Sequence, residues 1–121
     1  MKVTKIFTFD SAHNLVNYNG KCEELHGHTY KLEVTVEGKP DEEGMVIDFV
    51  KLKEIVSEKV IKRLDHKYLN EVFEFNTTCE NILLWMWNEL KDVLTEDRYR
   101  LYKLKLWETS TSFAEITEED L

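Results

Sequence analysis

The sequence predicts an α+β fold of order β-β-α-α-β-β, with an antiparallel sheet carrying two helices on one face. Three observations predict it. Segments near both ends of the chain alternate polar and apolar residues with period two, and two central segments repeat apolar residues at helical spacing. Punctuation is sparse, with one proline and four glycines in 121 residues, so no linker divides the chain and a single domain is expected over 1–121.

Each element follows in order. Residues 2–10 alternate Val3, Lys5, Phe7 and Phe9 against Thr4, Ile6, Thr8 and Asp10, a strand pattern. Residues 12–25 carry Asn14, Asn17, Asn19 and Gly20 and read as a loop. Alternation resumes from His28 to Glu37, with Tyr30, Leu32, Val34 and Val36 on one face, and Gly38 to Gly44 form the next turn. Asp48 can cap a helix whose apolar positions are Phe49, Leu52, Val56, Val60 and Leu64. A second helix starts at Thr77-Thr78-Cys79-Glu80, where Thr77 and Glu80 fit a capping box, and its stripe is Leu83, Met86, Trp87, Leu90 and Leu94. Strands near 99–108 and 111–117 close the chain.

Composition removes several function classes. A charged fraction of 33%, with no apolar run near the ~18 residues of a spanning helix, argues against a membrane protein. The formal charge, 16 − 24 = −8, disfavours nucleic acid as the main partner. No secretory signal follows Met1, and two cysteines are too few for a disulfide framework, so a cytoplasmic protein is expected.

The chemistry-bearing residues cluster. His26-Gly27-His28 puts two imidazoles on one face of a strand, at the end of the Tyr30 side, and His13 ends the first strand. Three imidazoles with a fourth position open describe a catalytic zinc site; surface histidines in a tight turn are the alternative. Cys22, four residues before His26, can be a base, a nucleophile or a fourth ligand. Glu23 and Glu24 next to it also fit a solvated loop. Asp65-His66 can be an oriented acid/base pair, or a helix end whose histidine suits the macrodipole. Glu108 shares the parity of Leu104 and Leu106, so it must be paired, ligand-bound or at the rim; a carboxylate there suits the adjacent N–H donors of an amino-pyrimidinone ring.

Together these segments resemble the 6-pyruvoyl-tetrahydropterin synthase family, and more closely its 6-carboxy-tetrahydropterin synthase branch. The resemblance rests on Phe9-Asp10-Ser11-Ala12-His13, Cys22-Glu23-Glu24-Leu25-His26-Gly27-His28, Gly44-Met45-Val46-Ile47-Asp48-Phe49, Leu64-Asp65-His66-Lys67-Tyr68-Leu69-Asn70, Thr78-Cys79-Glu80-Asn81 and Glu108-Thr109. It implies zinc on His13, His26 and His28; Cys22 as general base, with Asp65 and His66 as the partner acid/base pair; and Glu108 as pterin anchor, with Thr78 and Glu80 lining the pterin pocket. One departure is Thr77, where the family commonly has proline. The resemblance further implies a tunnelling fold, a homohexamer built as a dimer of trimers with sites between subunits, and a zinc-dependent lyase. Its substrate would be 7,8-dihydroneopterin triphosphate and its product 6-carboxy-tetrahydropterin, en route to queuosine. Glu23, two residues before Leu25-His26, resembles instead the branch that forms 6-hydroxymethyl-dihydropterin for folate synthesis, so a dual activity through Cys22 and Glu23 is an alternative. A catalytically idle zinc- or pterin-binding module is the non-enzymatic one.

Overall fold

A computed structural model of the chain describes residues 1–16 and 24–121. The period-two segments become β1 (Lys2–His13), β2 (His26–Gly38), β4 (Tyr99–Thr109) and β5 (Ser112–Thr117), paired antiparallel with one another in that order. β1 runs three residues further than the alternation alone suggested, because its last residues still pair with β2, His13 opposite His26.

The helical stripe becomes one continuous segment: α1 (Phe49–Val56), a π turn (Ser57–Ile61) and α2 (Lys62–Leu64). Asp48 caps it as expected, its side chain accepting from the Val50 N–H. Leu52, Val56, Val60 and Leu64 are all fully buried. These residues are spaced by four, and an α-helix advances ~100° per residue, so each step drifts by about 40° around the axis. The wider π turn takes up part of that drift and keeps the four on one face.

Two sequence expectations are corrected here. The sheet is mixed, because a two-residue strand β3 (Lys67–Tyr68) lies parallel to β1 beside Ser11 and Ala12, giving the order β3-β1-β2-β4-β5. Two residues are too few to carry a period. A short α3 (Leu69–Val72) follows. The second long helix, α4 (Cys79–Leu90), is capped by Thr78 and not Thr77: the Thr78 hydroxyl accepts from Asn81 N–H at 3.1 Å. Thr77 is instead drawn fully inside.

The core lies between the sheet and these helices. Phe7, Phe9, Tyr30, Leu32, Val34, Leu104 and Leu106 from the strands meet Leu52, Val56, Val60, Ile82, Met86 and Leu90 from the helices. Among the described residues, no helix is long and apolar enough to cross a membrane.

Candidate metal centre and active site

The inner face of the sheet is apolar for most of its length and ends in histidines. Antiparallel pairing sets His13 opposite His26 and Ser11 opposite His28, so the odd positions of β1 and the even positions of β2 share that face. The three rings gather with centroids 4.6–5.1 Å apart. Nε2 of His26 lies 2.9 Å from Nε2 of His28. Oε1 of Glu108 reaches the same point, 3.2 Å from Nε2 of His28 and 3.9 Å from Nε2 of His13. A tetrahedral ion with bonds of about 2.0–2.1 Å holds its ligands about 3.3 Å apart. The observed spacings bracket that value.

The donor atoms fit such an ion. His13 is almost wholly buried, yet its Nε2 has no hydrogen-bond partner among the described residues, a state that costs free energy without a ligand. On the far side of the ring, Nδ1 donates to the Thr77 carbonyl at 2.8 Å. His26 Nδ1 likewise donates to the Glu24 carbonyl at 2.9 Å. A carbonyl only accepts, so both rings carry their proton on Nδ1 and turn the Nε2 lone pair to the centre, as metal-bound imidazoles do. Three imidazoles and one carboxylate suit zinc.

Glu108 arrives there through a β-bulge. Trp107 pairs with Phe113 and Thr109 with Ser112, which leaves Glu108 as the extra residue of β4. Its charge is also felt by Cys79 at the start of α4. Burial first, and Glu108 second, push that thiol up to about 12. Cys79 is thus a neutral core residue.

The Asp65–His66 pair is built at the neighbouring edge. The His66 N–H donates to the Asp10 carbonyl at 2.7 Å, and the Asp10 N–H donates to Asp65 Oδ1 at 2.9 Å. His66 Nδ1 is 3.1 Å from Asp65 Oδ2. The Asp10 N–H is the main cause holding the Asp65 carboxyl below its usual range; burial opposes it, and His66 adds a smaller lowering. His66 has φ +59°, the one positive φ of a non-glycine among the described residues, so it is not an ordinary helix-terminal histidine. It opens, with Asp10, Thr29, Lys67 and Tyr68, onto a groove of about 480 Å³. On β1, Asp10 and His13 have opposite parity, so the residue that templates this pair projects away from the histidine cluster.

Residues 2–119 match the family described as 6-pyruvoyl tetrahydropterin synthase. The chain belongs to that family. It is 35% identical to the 6-carboxy-5,6,7,8-tetrahydropterin synthase of Haemophilus influenzae, with 97% of this chain and 99% of that protein covered. It is 46% identical to the dihydroneopterin monophosphate aldolase of Pyrococcus furiosus, over 84% and 83%. The structure of Caenorhabditis elegans 6-pyruvoyl tetrahydropterin synthase superposes with TM-score 0.80 at 28% identity, covering 97% of this chain and 94% of that one. The tunnelling fold expected from the sequence is therefore the fold of this chain.

In this synthase family member the histidines and Glu108 come together, and Asp65 and His66 form a second group. Thr78 is half-buried at the start of α4, beside the strand that carries Glu108, and Glu80 is exposed on its first turn. Cys22 and Glu23 lie outside the described residues. Residue-by-residue reading of the sequence missed Thr77, Asn70 and Asp10, whose contributions run through backbone atoms or through contacts more than 50 residues apart. The motifs around Asp10 and Asn70 flagged that neighbourhood without giving either residue a role.

Proposed function

We propose that this chain is a zinc-dependent lyase that converts 7,8-dihydroneopterin triphosphate to 6-carboxy-5,6,7,8-tetrahydropterin in the cytoplasm, on the route to 7-deazapurines such as queuosine. The observation that carries the reading is the convergence of His13, His26, His28 and Glu108 on one point at the end of the inner face. Identity of 35% to a 6-carboxy-tetrahydropterin synthase over nearly all of both chains supports the product.

His13, His26 and His28 hold the zinc. When bound, the ion supplies Lewis-acid polarisation of the side-chain hydroxyls of the substrate. Glu108 accepts the paired N–H donors of the pterin ring, and Thr78 and Glu80 line the ring's pocket. Cys22 Sγ takes a proton as thiolate. His66, its Nδ1 proton held toward Asp65 Oδ2, exchanges a proton at Nε2. The opposite parity of Asp10 and His13 supports sites assembled from two subunits of a homohexamer, with the histidines from one copy and the Asp65–His66 pair from another.

A second reading is favoured by one observation, the 46% identity to an aldolase acting on dihydroneopterin monophosphate. In it, Glu23 serves as base and the side chain is cleaved to 6-hydroxymethyl-dihydropterin. The two are separated by supplying the triphosphate and the monophosphate in turn and identifying products by mass. Carboxy-tetrahydropterin from the triphosphate, reduced ~10²-fold or more in Cys22→Ala, is expected from a thiolate general base. Hydroxymethyl-dihydropterin that survives Cys22→Ala and disappears in Glu23→Ala establishes the second reading. No turnover of either substrate by the zinc-loaded protein establishes an idle binding module.

A further inference from the structure

Behind His13 runs a chain of hydrogen bonds whose proton directions are all determined. Asn70 stands at its far end. Its Oδ1 faces the Asn14 N–H at 3.0 Å and its Nδ2 faces the Asn14 carbonyl at 2.7 Å. A backbone N–H only donates and a carbonyl only accepts, so the carboxamide has one orientation. Oδ1 also lies 3.2 Å from the Thr77 hydroxyl and can only accept there, which commits the hydroxyl proton to Asn70. The Thr77 Oγ1 then has only lone pairs to offer His13 Nδ1, 3.3 Å away. The Thr77 carbonyl, 2.8 Å from the same nitrogen, offers lone pairs as well. Among the described residues, both atoms within hydrogen-bond distance of Nδ1 are acceptors.

We infer that Asn70, through a directional relay, holds the Thr77 hydroxyl proton away from His13, so that the Nδ1–H tautomer set by the Thr77 carbonyl stands unopposed and the centre keeps its affinity for zinc. The inference rests on the metal reading of the preceding section. If the Thr77 proton were free to turn, it could donate to Nδ1 and favour the opposite tautomer, whose Nε2–H cannot ligate. Thr77 and His13 are buried, which strengthens the bonds between them. Asn70 and Thr77 are positioning residues, since neither side chain reaches the metal point. The same Asn70 follows β3 closely, and Tyr68 of β3 donates to Asn14 Oδ1, so the relay also fastens the segment carrying His66 to the end of β1.

The test compares Asn70→Ala, which frees the Thr77 hydroxyl proton, with the double variant Asn70→Ala/Thr77→Val, which also removes that proton, and with Thr77→Ser, which keeps the hydroxyl and removes the methyl. Zinc affinity is measured by competition with a chromophoric chelator. The His13 tautomer of the zinc-free protein is read from nitrogen-15 NMR couplings. Asn70→Ala, which frees the Thr77 proton to turn toward Nδ1, is expected to weaken zinc by ~10–100-fold and to mix the tautomers. The double variant has no such proton and keeps the Thr77 carbonyl as acceptor, so it is expected to return to a single Nδ1–H tautomer. Thr77→Ser is expected to retain most of the affinity and a single Nδ1–H tautomer. A single tautomer with unchanged zinc affinity in Asn70→Ala, or mixed tautomers in the double variant, overturns the relay while leaving the metal reading intact. A wild-type chain with His13 protonated on Nδ1 that binds no zinc overturns the metal reading and leaves the hydrogen-bond assignment standing.

Discussion

The histidine cluster and the Asp65–His66 corner adjoin the same end of β1 and are made in different ways. Side chains make the first: regular strands, paired in fixed register, deliver three rings to one point with no positive φ among them. Backbone makes the second. The chain leaves α2, takes a positive φ at His66, and is held by the N–H and carbonyl of Asp10. A site built by register has its stability tied to whatever ligand satisfies the converging atoms. A site built by a strained turn has stability and function pulling against each other. Substitutions can separate the two.

The largest effect is expected at the cluster. Zinc at ~1,000 times its Kd stabilises a protein that binds it only when folded by about 4 kcal/mol. For a chain of this size that raises Tm by more than about 8 °C. His13→Ala, or His28→Ala, should abolish the zinc-induced rise while leaving the response to added pterin substrate as a separate measure. A His28→Ala protein with the full zinc-induced rise and full metal content sinks the ligand assignment.

Glu108 sharpens the comparison, because its carboxylate is claimed by two partners. Glu108→Gln keeps the shape and loses the charge. A bond to a charged group is worth ~1.5–3 kcal/mol, so the loss of a bidentate pterin contact should raise KM by roughly 10–150-fold with zinc affinity nearly unchanged. The reverse pattern, weak zinc with KM unchanged, makes Glu108 a fourth ligand and closes the site. That alternative arises from the structure, where Oε1 stands 3.2 Å from His28 Nε2.

At the corner the sign should reverse. A non-glycine residue in the left-handed region costs ~1–2 kcal/mol, a strain glycine does not share. His66→Gly should therefore be more stable than His66→Ala by about 1 kcal/mol in denaturant unfolding, while both lose ~10²-fold or more in kcat through loss of acid/base catalysis. Equal stability of the two variants means that the φ of +59° stores no strain.

These two sites also differ in how far they were legible in the sequence. Parity along β2 sufficed to place His26 and His28 at the end of the Tyr30 face, and the four-residue spacing of Leu52 to Leu64 predicted the buried helix stripe. Local signals failed where a long-range bond decides. Thr77 looks like the cap of α4, but a contact across 64 residues to His13 pulls it inward and passes the cap to Thr78. β3 has no pattern of its own and exists because β1 offers an edge at Ser11 and Ala12. The pairing partner of Asp65 is a backbone N–H, which no side-chain pattern encodes. The bulge that aims Glu108 depends on the register of β4 against β5, and parity with Leu106 only hinted at it.

The smallest effect is a pH dependence at Asp65. Its carboxyl titrates below the ordinary value of 3.8, chiefly because the Asp10 N–H donates to the ionised form, with burial acting in the other direction. A depressed folded-state value means that the unfolded chain binds the proton first as pH falls. The stabilisation is therefore complete above the unfolded value and is lost as pH drops through the lower folded one. With zinc removed by chelator, wild type and Asp65→Asn should differ in stability by a constant amount above ~pH 5, where the unfolded carboxyl is fully ionised. That difference should shrink progressively below pH 3.8. The change is expected to be modest, since the side chain keeps 35% of its surface exposed and solvent screens the bond. A gap that widens on acidification would mean that Asp65 is destabilised in the folded state, and that the Asp10 N–H does not hold its carboxylate for His66.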